Sequence, residues 1–80
     1  MQTIFVQFKC HPGQAYDVAD VVVRTLEETS EIYSTSGHYD LLAKFYLPAE
    51  ADIGHFVTSQ LQTIEGVKDT FTLVTFKAFG

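Results

Sequence analysis

Residues 31–47 read EIYSTSGHYDLLAKFYL, and the reading of this stretch decides the fold. Glu31 to Ser36 form a short, polar strand in which Ile32, Ser34 and Ser36 alternate with Glu31, Tyr33 and Thr35. The residues SGHYD then turn the chain, with Gly37 free to adopt backbone angles closed to other residues. Leu41 to Leu47 form a second strand with apolar residues on both faces, the pattern of a strand covered on both sides. Pro48, which cannot donate to a sheet ladder, closes it.

Upstream of this hairpin, residues 2 to 9 (QTIFVQFK) are β-branched and aromatic and read as a strand. Ile4, Val6 and Phe8 share one face, while Phe5 lies on the other among Thr3, Gln7 and Lys9. HPG at residues 11–13 is a turn signal. From Gln14 to about Glu28 the period lengthens: Ala15, Ala19, Val22 and Leu26 follow the spacing of one helix face. Asp17 and Asp20 sit in its early turns, where the helix dipole favours anions.

Downstream, Ile53, Phe56, Val57, Leu61 and Ile64 trace a second helical stripe, with Asp52 as its N-cap. Gly66 suits the left-handed residue after a helix, and Val67 to Phe79 form a long final strand. The order is β-α-β-β-α-β, the ferredoxin-like or split βαβ arrangement of the α+β class. It predicts one domain over residues 1–80, with two helices on one face of a four-stranded antiparallel sheet, an ACT-like α/β sandwich. The opposite face would carry Phe, Leu and Tyr side chains with no third layer. A second copy, packed sheet to sheet, is the economical cover, so a homodimer is expected.

Composition agrees. Eighty residues allow a single small domain, yet 46% of them are hydrophobic and 14% aromatic, a heavy apolar load for so short a chain. The formal net charge is −5, and the five basic residues are scattered rather than clustered. A phosphate backbone needs a basic face, so direct nucleic-acid binding is not expected. No apolar run has membrane-spanning length and no signal peptide is visible, which predicts a cytoplasmic protein with no membrane partner.

No catalytic set emerges. His11, His38 and His55 fall in a turn, a hairpin and a helix start, without HxH or HExxH spacing, so no metal is expected. Cys10 stands alone and reads as a buried, inert thiol. The pairs Asp17/Asp20 and Glu27/Glu28 read as the solvated face of the first helix. No glycine-rich phosphate loop is present, and no cofactor is implied.

Three segments together resemble a known family. TSGHYDLLAKFYLP, a helix of fitting length and IEGVKDTFTLV are similar to the pattern G-x-[YF]-D, helix, G-V-x-x-T-x-T. That pattern marks the effector-binding (RAM) domain of the Lrp/AsnC transcriptional regulators, and the likeness extends to HPGQAYDVADVV at the first helix. The resemblance implies a non-enzymatic, amino-acid-binding module that acts in transcription regulation through oligomerisation. It implies sheet-to-sheet dimers, often joined into octamers or decamers, with a small effector bound near the contacts between dimers. Carried over residue by residue, the implied ligand-binding positions are Gly37, Tyr39 and Asp40 of the hairpin with Thr70 and Thr72 of the last strand. His38, where the family pattern varies, would adjust effector choice.

The chemistry suits a zwitterion: Asp40 accepts from an ammonium, while backbone N–H groups and threonine hydroxyls donate to a carboxylate. The plainer alternative is that Gly37 serves the turn, Asp40 caps it, and the threonines are good strand residues. Full-length members carry an N-terminal helix-turn-helix, whereas this chain starts almost directly on the first strand. A stand-alone or excised effector domain is therefore expected, acting in its own oligomer or mixed with full-length Lrp/AsnC regulators. Two rivals share the topology: a dimeric α+β-barrel small monooxygenase or stress-responsive protein, and a purely structural oligomerisation module.

Overall fold

A computed structural model describes residues 1–80. Strands β1 (Gln2–Cys10), β2 (Thr29–Ser34), β3 (Leu41–Leu47) and β4 (Val67–Val74) form one antiparallel sheet in the order β2-β3-β1-β4. Helix α1 (Ala15–Thr25) links β1 to β2, and α2 (Ile53–Phe56) runs directly into a π-helical segment, Val57–Leu61, before β4. The expected ferredoxin-like α+β fold is the fold observed.

Strand alternation sorts the sheet into two faces. On one, Ile4, Val6, Phe8 and Cys10 of β1 lie beside Leu41, Ala43, Phe45 and Leu47 of β3, all buried. Val18, Val22 and Leu26 come down from the first helix and its C-cap, and Phe56, Val57 and Leu61 from the second. Phe45 meets Phe56 edge to face at 5.3 Å, a geometry that adds about 0.5–1.5 kcal/mol to the burial of the rings. Every buried residue is apolar, so the core holds no polar group in need of a partner. The other face is open: Tyr33, Tyr46, Phe71 and Leu73 are each 40–55% exposed.

Several boundaries differ from the periodicity reading. Helix α1 stops at Thr25 because Leu26 turns extended (φ −113°, ψ 103°) and drops into the core; Glu27 and Glu28 lie past its end. Strand β2 begins at Thr29, not Glu31, and includes a register shift between Thr29 and Glu31. Strand β4 stops at Val74 rather than Phe79. Its partner β1 starts at Gln2, and the Thr75 hydroxyl takes the Thr3 carbonyl in place of a continued ladder. Asp52 does cap α2, its Oδ1 accepting from the His55 N–H at 3.0 Å.

Two contacts fix the hairpin against β1. The Asp40 N–H donates to the Phe8 carbonyl (2.9 Å), and Asp40 Oδ2 accepts the Cys10 N–H at 2.7 Å. The carboxylate stands in for a ladder carbonyl where the turn bends β3 away from its neighbour. Burial, and the Asp40 carboxylate beside it, push the Cys10 thiol above its ordinary value, against a smaller opposing pull from Lys9.

Gly66 packs where the chain returns to β4. It has φ +100°, and an added Cβ would lie 3.0 Å from Val18 Cγ2 and 3.1 Å from Gln14 Cβ. Gly37 also has positive φ (+110°), but an added Cβ there meets nothing within 4 Å. Gly66→Ala is therefore expected to lose about 2 kcal/mol or more through strain plus overpacking, against about 1 kcal/mol for Gly37→Ala. Urea denaturation of both variants reads the difference, and equal losses would contradict the close packing at Gly66.

The raised thiol has its own pH signature. The folded chain holds the Cys10 proton more tightly than the unfolded chain. That contribution is complete below the unfolded pKa and is lost as pH rises through the raised folded value. Stability should therefore decline on the alkaline side of about pH 8.5, and the decline should be shallower in Cys10→Ala. Superimposable alkaline limbs for the two proteins would refute it.

Candidate functional site

The β2–β3 hairpin closes on itself before it touches anything else. The Thr35 N–H donates to the Asp40 carbonyl (3.0 Å) and the Thr35 hydroxyl to the Tyr39 carbonyl (3.0 Å), leaving Ser36 to Tyr39 as the loop. With both loop ends anchored, the remaining groups are held outward. None of the backbone N–H groups of Ser36, Gly37, His38 and Tyr39 has an acceptor within the chain. Asp40 is half-buried. One of its oxygens is committed to Cys10, and Oδ1 has no protein partner.

Side chains from other strands complete the rim. Lys9 Nζ donates to the His38 carbonyl at 3.0 Å, so a cation stands beside the loop. The Tyr39 ring folds over the open face and stacks on Phe71 of β4 with 6.2 Å between centroids, while His38 meets Tyr39 edge-on at 5.1 Å. Lys9 and Phe71 were not singled out from the sequence. Phe71 stands between the two threonines of the quoted pattern, and alternation turns it to the opposite face. The register that brings it to the hairpin is a tertiary fact.

The six residues taken from the sequence thus fall into two groups. Gly37, His38, Tyr39 and Asp40 form one continuous rim. Thr70 and Thr72 lie across β1, opposite Phe8 and Val6, and so on the helix side of the sheet. The Thr70 hydroxyl accepts from Gln62 Nε2 at 3.0 Å, a partner contributed by the residue that caps the π-helical segment. The chain has two cavities, of about 400 and 480 Å³, and no residue of the hairpin turn from Thr35 to Asp40 lines either. No three of the His, Cys, Asp and Glu side chains converge as a metal site, and no helix is long and apolar enough to cross a membrane.

The open face carries its own polar set. Lys44 Nζ lies 5.1 Å from the centre of the Tyr46 ring and 6.0 Å from that of Phe5. The pairing with Tyr46 raises the Lys44 ammonium and lowers the Tyr46 phenol, with Ser30 adding to the latter. Tyr33 donates to Glu31 at 2.7 Å, and that bond to a carboxylate holds its phenol above the ordinary value.

What this arrangement offers is a cluster of unpaired N–H donors, a cation and a spare carboxylate oxygen on one rim, next to a stacked aromatic pair. The family model for the Lrp/AsnC ligand binding domain matches residues 3–79. The HTH-type transcriptional regulator FL11 of Pyrococcus furiosus is 30% identical over 73 residues, which is 91% of this chain and 47% of that protein. The chain spans about half the length of the curated relatives it matches. TTHA0845 from Thermus thermophilus shares 30% identity and superposes with a TM-score of 0.85, covering 100% of this chain and 99% of that one. NMB0573 from Neisseria meningitidis, a transcriptional regulator solved as an L-Met complex, superposes with a TM-score of 0.82 over 99% of this chain and 52% of its own. At 20% identity that last likeness is one of fold. With the family model matching nearly end to end, the chain belongs to the Lrp/AsnC ligand binding domain family.

Proposed function

We propose that this domain is an effector-binding regulatory module that takes a small amino-acid-type ligand at the β2–β3 hairpin, in a pocket completed by a second copy of the chain. The observation that carries the proposal is the hairpin rim itself, in a chain of a ligand-binding family. A zwitterion needs an acceptor for its ammonium and donors for its carboxylate. Asp40 Oδ1 supplies the first, and the free N–H groups of residues 36–39 with Lys9 supply the second. Gly37 lets the loop backbone approach closely, Tyr39 walls the rim, and His38 tunes the choice of ligand.

A single chain encloses no cavity at this rim, which favours a site shared between subunits. NMB0573, a regulator of which half shares this fold, was solved as an L-Met complex, which supports a ligand of the amino-acid type. Thr70 and Thr72 enter as contacts for a ligand that reaches round β1 to the helix side. Thr70, opposite Phe8, is the nearer of the two to the hairpin. Regulation follows from assembly. Sheet-to-sheet dimers cover the open apolar face, dimers join into larger rings, and a ligand favours whichever state binds it better.

A thermal-shift screen of the amino acids, read alongside oligomer mass, is expected to find at least one that stabilises the protein and changes its assembly. Against that ligand, Asp40→Asn is expected to bind about tenfold more weakly or worse while staying folded. The amide oxygen still accepts from Cys10, but the charge is gone. Calorimetry that returns unchanged affinity would remove Asp40 from the site. Asp40→Ala is the poorer probe, since it also strips the Cys10 N–H of its partner at a cost of about 1–3 kcal/mol.

The sheet-face dimer has a separate test. Leu73 is exposed on the open face, and Leu73→Asp is expected to shift sedimentation toward monomer with an unaltered circular-dichroism spectrum. A variant that dimerises as strongly as the parent would place the interface elsewhere.

A further inference from the structure

At the end of the sheet away from the hairpin, β1 and β2 begin while β3 and β4 end. Two features meet there that the effector site does not use. The first is the cavity of about 400 Å³ at the β2–β3 corner, lined by Met1, Glu27, Glu28, Thr29, Tyr46 and Pro48. Its two carboxylates make no ion pair: the chain's one salt bridge joins Arg24 and Asp20. The second is the segment after β4. Phe76 and Phe79 are 88% and 94% exposed, and between them Lys77 reaches only the Gly80 carbonyl, at 3.4 Å.

We propose that Phe76–Phe79 is an exchange arm that seats on a second copy of this chain, with its rings and Lys77 entering the acidic cavity at that copy's β2–β3 corner. The charges match. The chain carries ten acidic and five basic residues, yet the Phe76–Phe79 arm holds a cation and no side-chain carboxylate, while the cavity wall sets two carboxylates against the single ammonium of Met1. The apolar parts match as well, two phenylalanines against Met1, Tyr46 and Pro48. Tyr46 belongs to both the cavity and the open face, so the cavity opens onto the surface that the dimer would cover.

Symmetry supplies the reach. The arm rests on the sheet-to-sheet pairing proposed above. A two-fold axis running along the strands, between the two sheets, keeps like ends of the sheets together and lays β4 of one chain over the β2 side of the other. The arm then emerges at the partner's acidic corner. The β2 edge of its own corner lies across β1 and β3, roughly 14 Å away at ordinary strand spacing.

Two differently tagged populations, both in a Cys10→Ala background, test the contact: Phe79→Cys in one and Glu28→Cys in the other. After mixing, a short thiol cross-linker is expected to give a product containing both tags. Lys77→Glu alone, and Glu27→Lys with Glu28→Lys, are each expected to weaken the dimer by about tenfold, and the three together to restore it. A dimer of parental strength that gives no cross-linked product containing both tags would overturn the arm and leave the sheet pairing standing. Charge reversals that weaken the dimer without mutual rescue would also overturn it. A chain that stays monomeric at all concentrations would overturn both.

Discussion

The pairing of β1 with β3, from Gln2 opposite Leu47 to Phe8 opposite Leu41, is the register on which the rest of the domain depends. These two central strands supply eight of the buried side chains, four each. A slip of one residue would turn every one of a strand's buried side chains to the open face. Phe45 would lose Phe56, and the helices would lie on Phe5, Gln7 and Lys9. The same register brings Asp40 to the Cys10 N–H. The hairpin's position is thus set by the core, and whatever binds there meets a surface that the fold has already organised.

The layout was legible where one period gave way to another. Ile4, Val6 and Phe8 alternate, Val22 and Leu26 repeat at helical spacing, and Asp52 marks the start of the second helix. All of these are local. The misplaced boundaries share a different cause, competition from outside the segment. Glu27 and Glu28 have good helix propensity, but burying Leu26 in an extended conformation ended the helix before them. Thr75, Phe76 and Phe79 are good strand residues, but the Thr75 hydroxyl takes the Thr3 carbonyl and the ladder with β1 stops at Val74 opposite Ile4. At the candidate site, the glycine, the aromatic ring and the carboxylate could be read from SGHYD. The commitment of one Asp40 oxygen to a residue thirty positions away could not, nor could the company of Lys9 and Phe71. Alternation alone already put Thr70 and Phe71 on opposite faces, and it is the hairpin's lean over the open face that makes Phe71 its neighbour.

The sheet is polar in its function and apolar in its surfaces. Its helix side is sealed by a core in which every buried residue is apolar. Its open side mixes aromatic rings with Lys44 and Glu31; Glu31 raises the Tyr33 phenol, and Lys44 lowers that of Tyr46. Such a face suits a specific partner better than a purely greasy one, since misaligned charges penalise wrong pairings. Membership of a ligand-binding family gives the proposal for that face its point: a pocket divided between chains would report on assembly and on ligand at once.

The side chain of Gln2 links this logic to the loop after β3. Its amide nitrogen lies within 3.0–3.2 Å of three carbonyls, those of Pro48, Ala49 and Ala51, yet it carries two hydrogens. The loop is therefore held by a clasp with more acceptors than donors, in which the bonds can be exchanged while the grip is kept. Exchange of one atom, nitrogen for an ionised oxygen as in glutamate, would set a negative charge against three carbonyl dipoles. The first strand would then repel the segment that leads into the second helix, with every core residue unchanged.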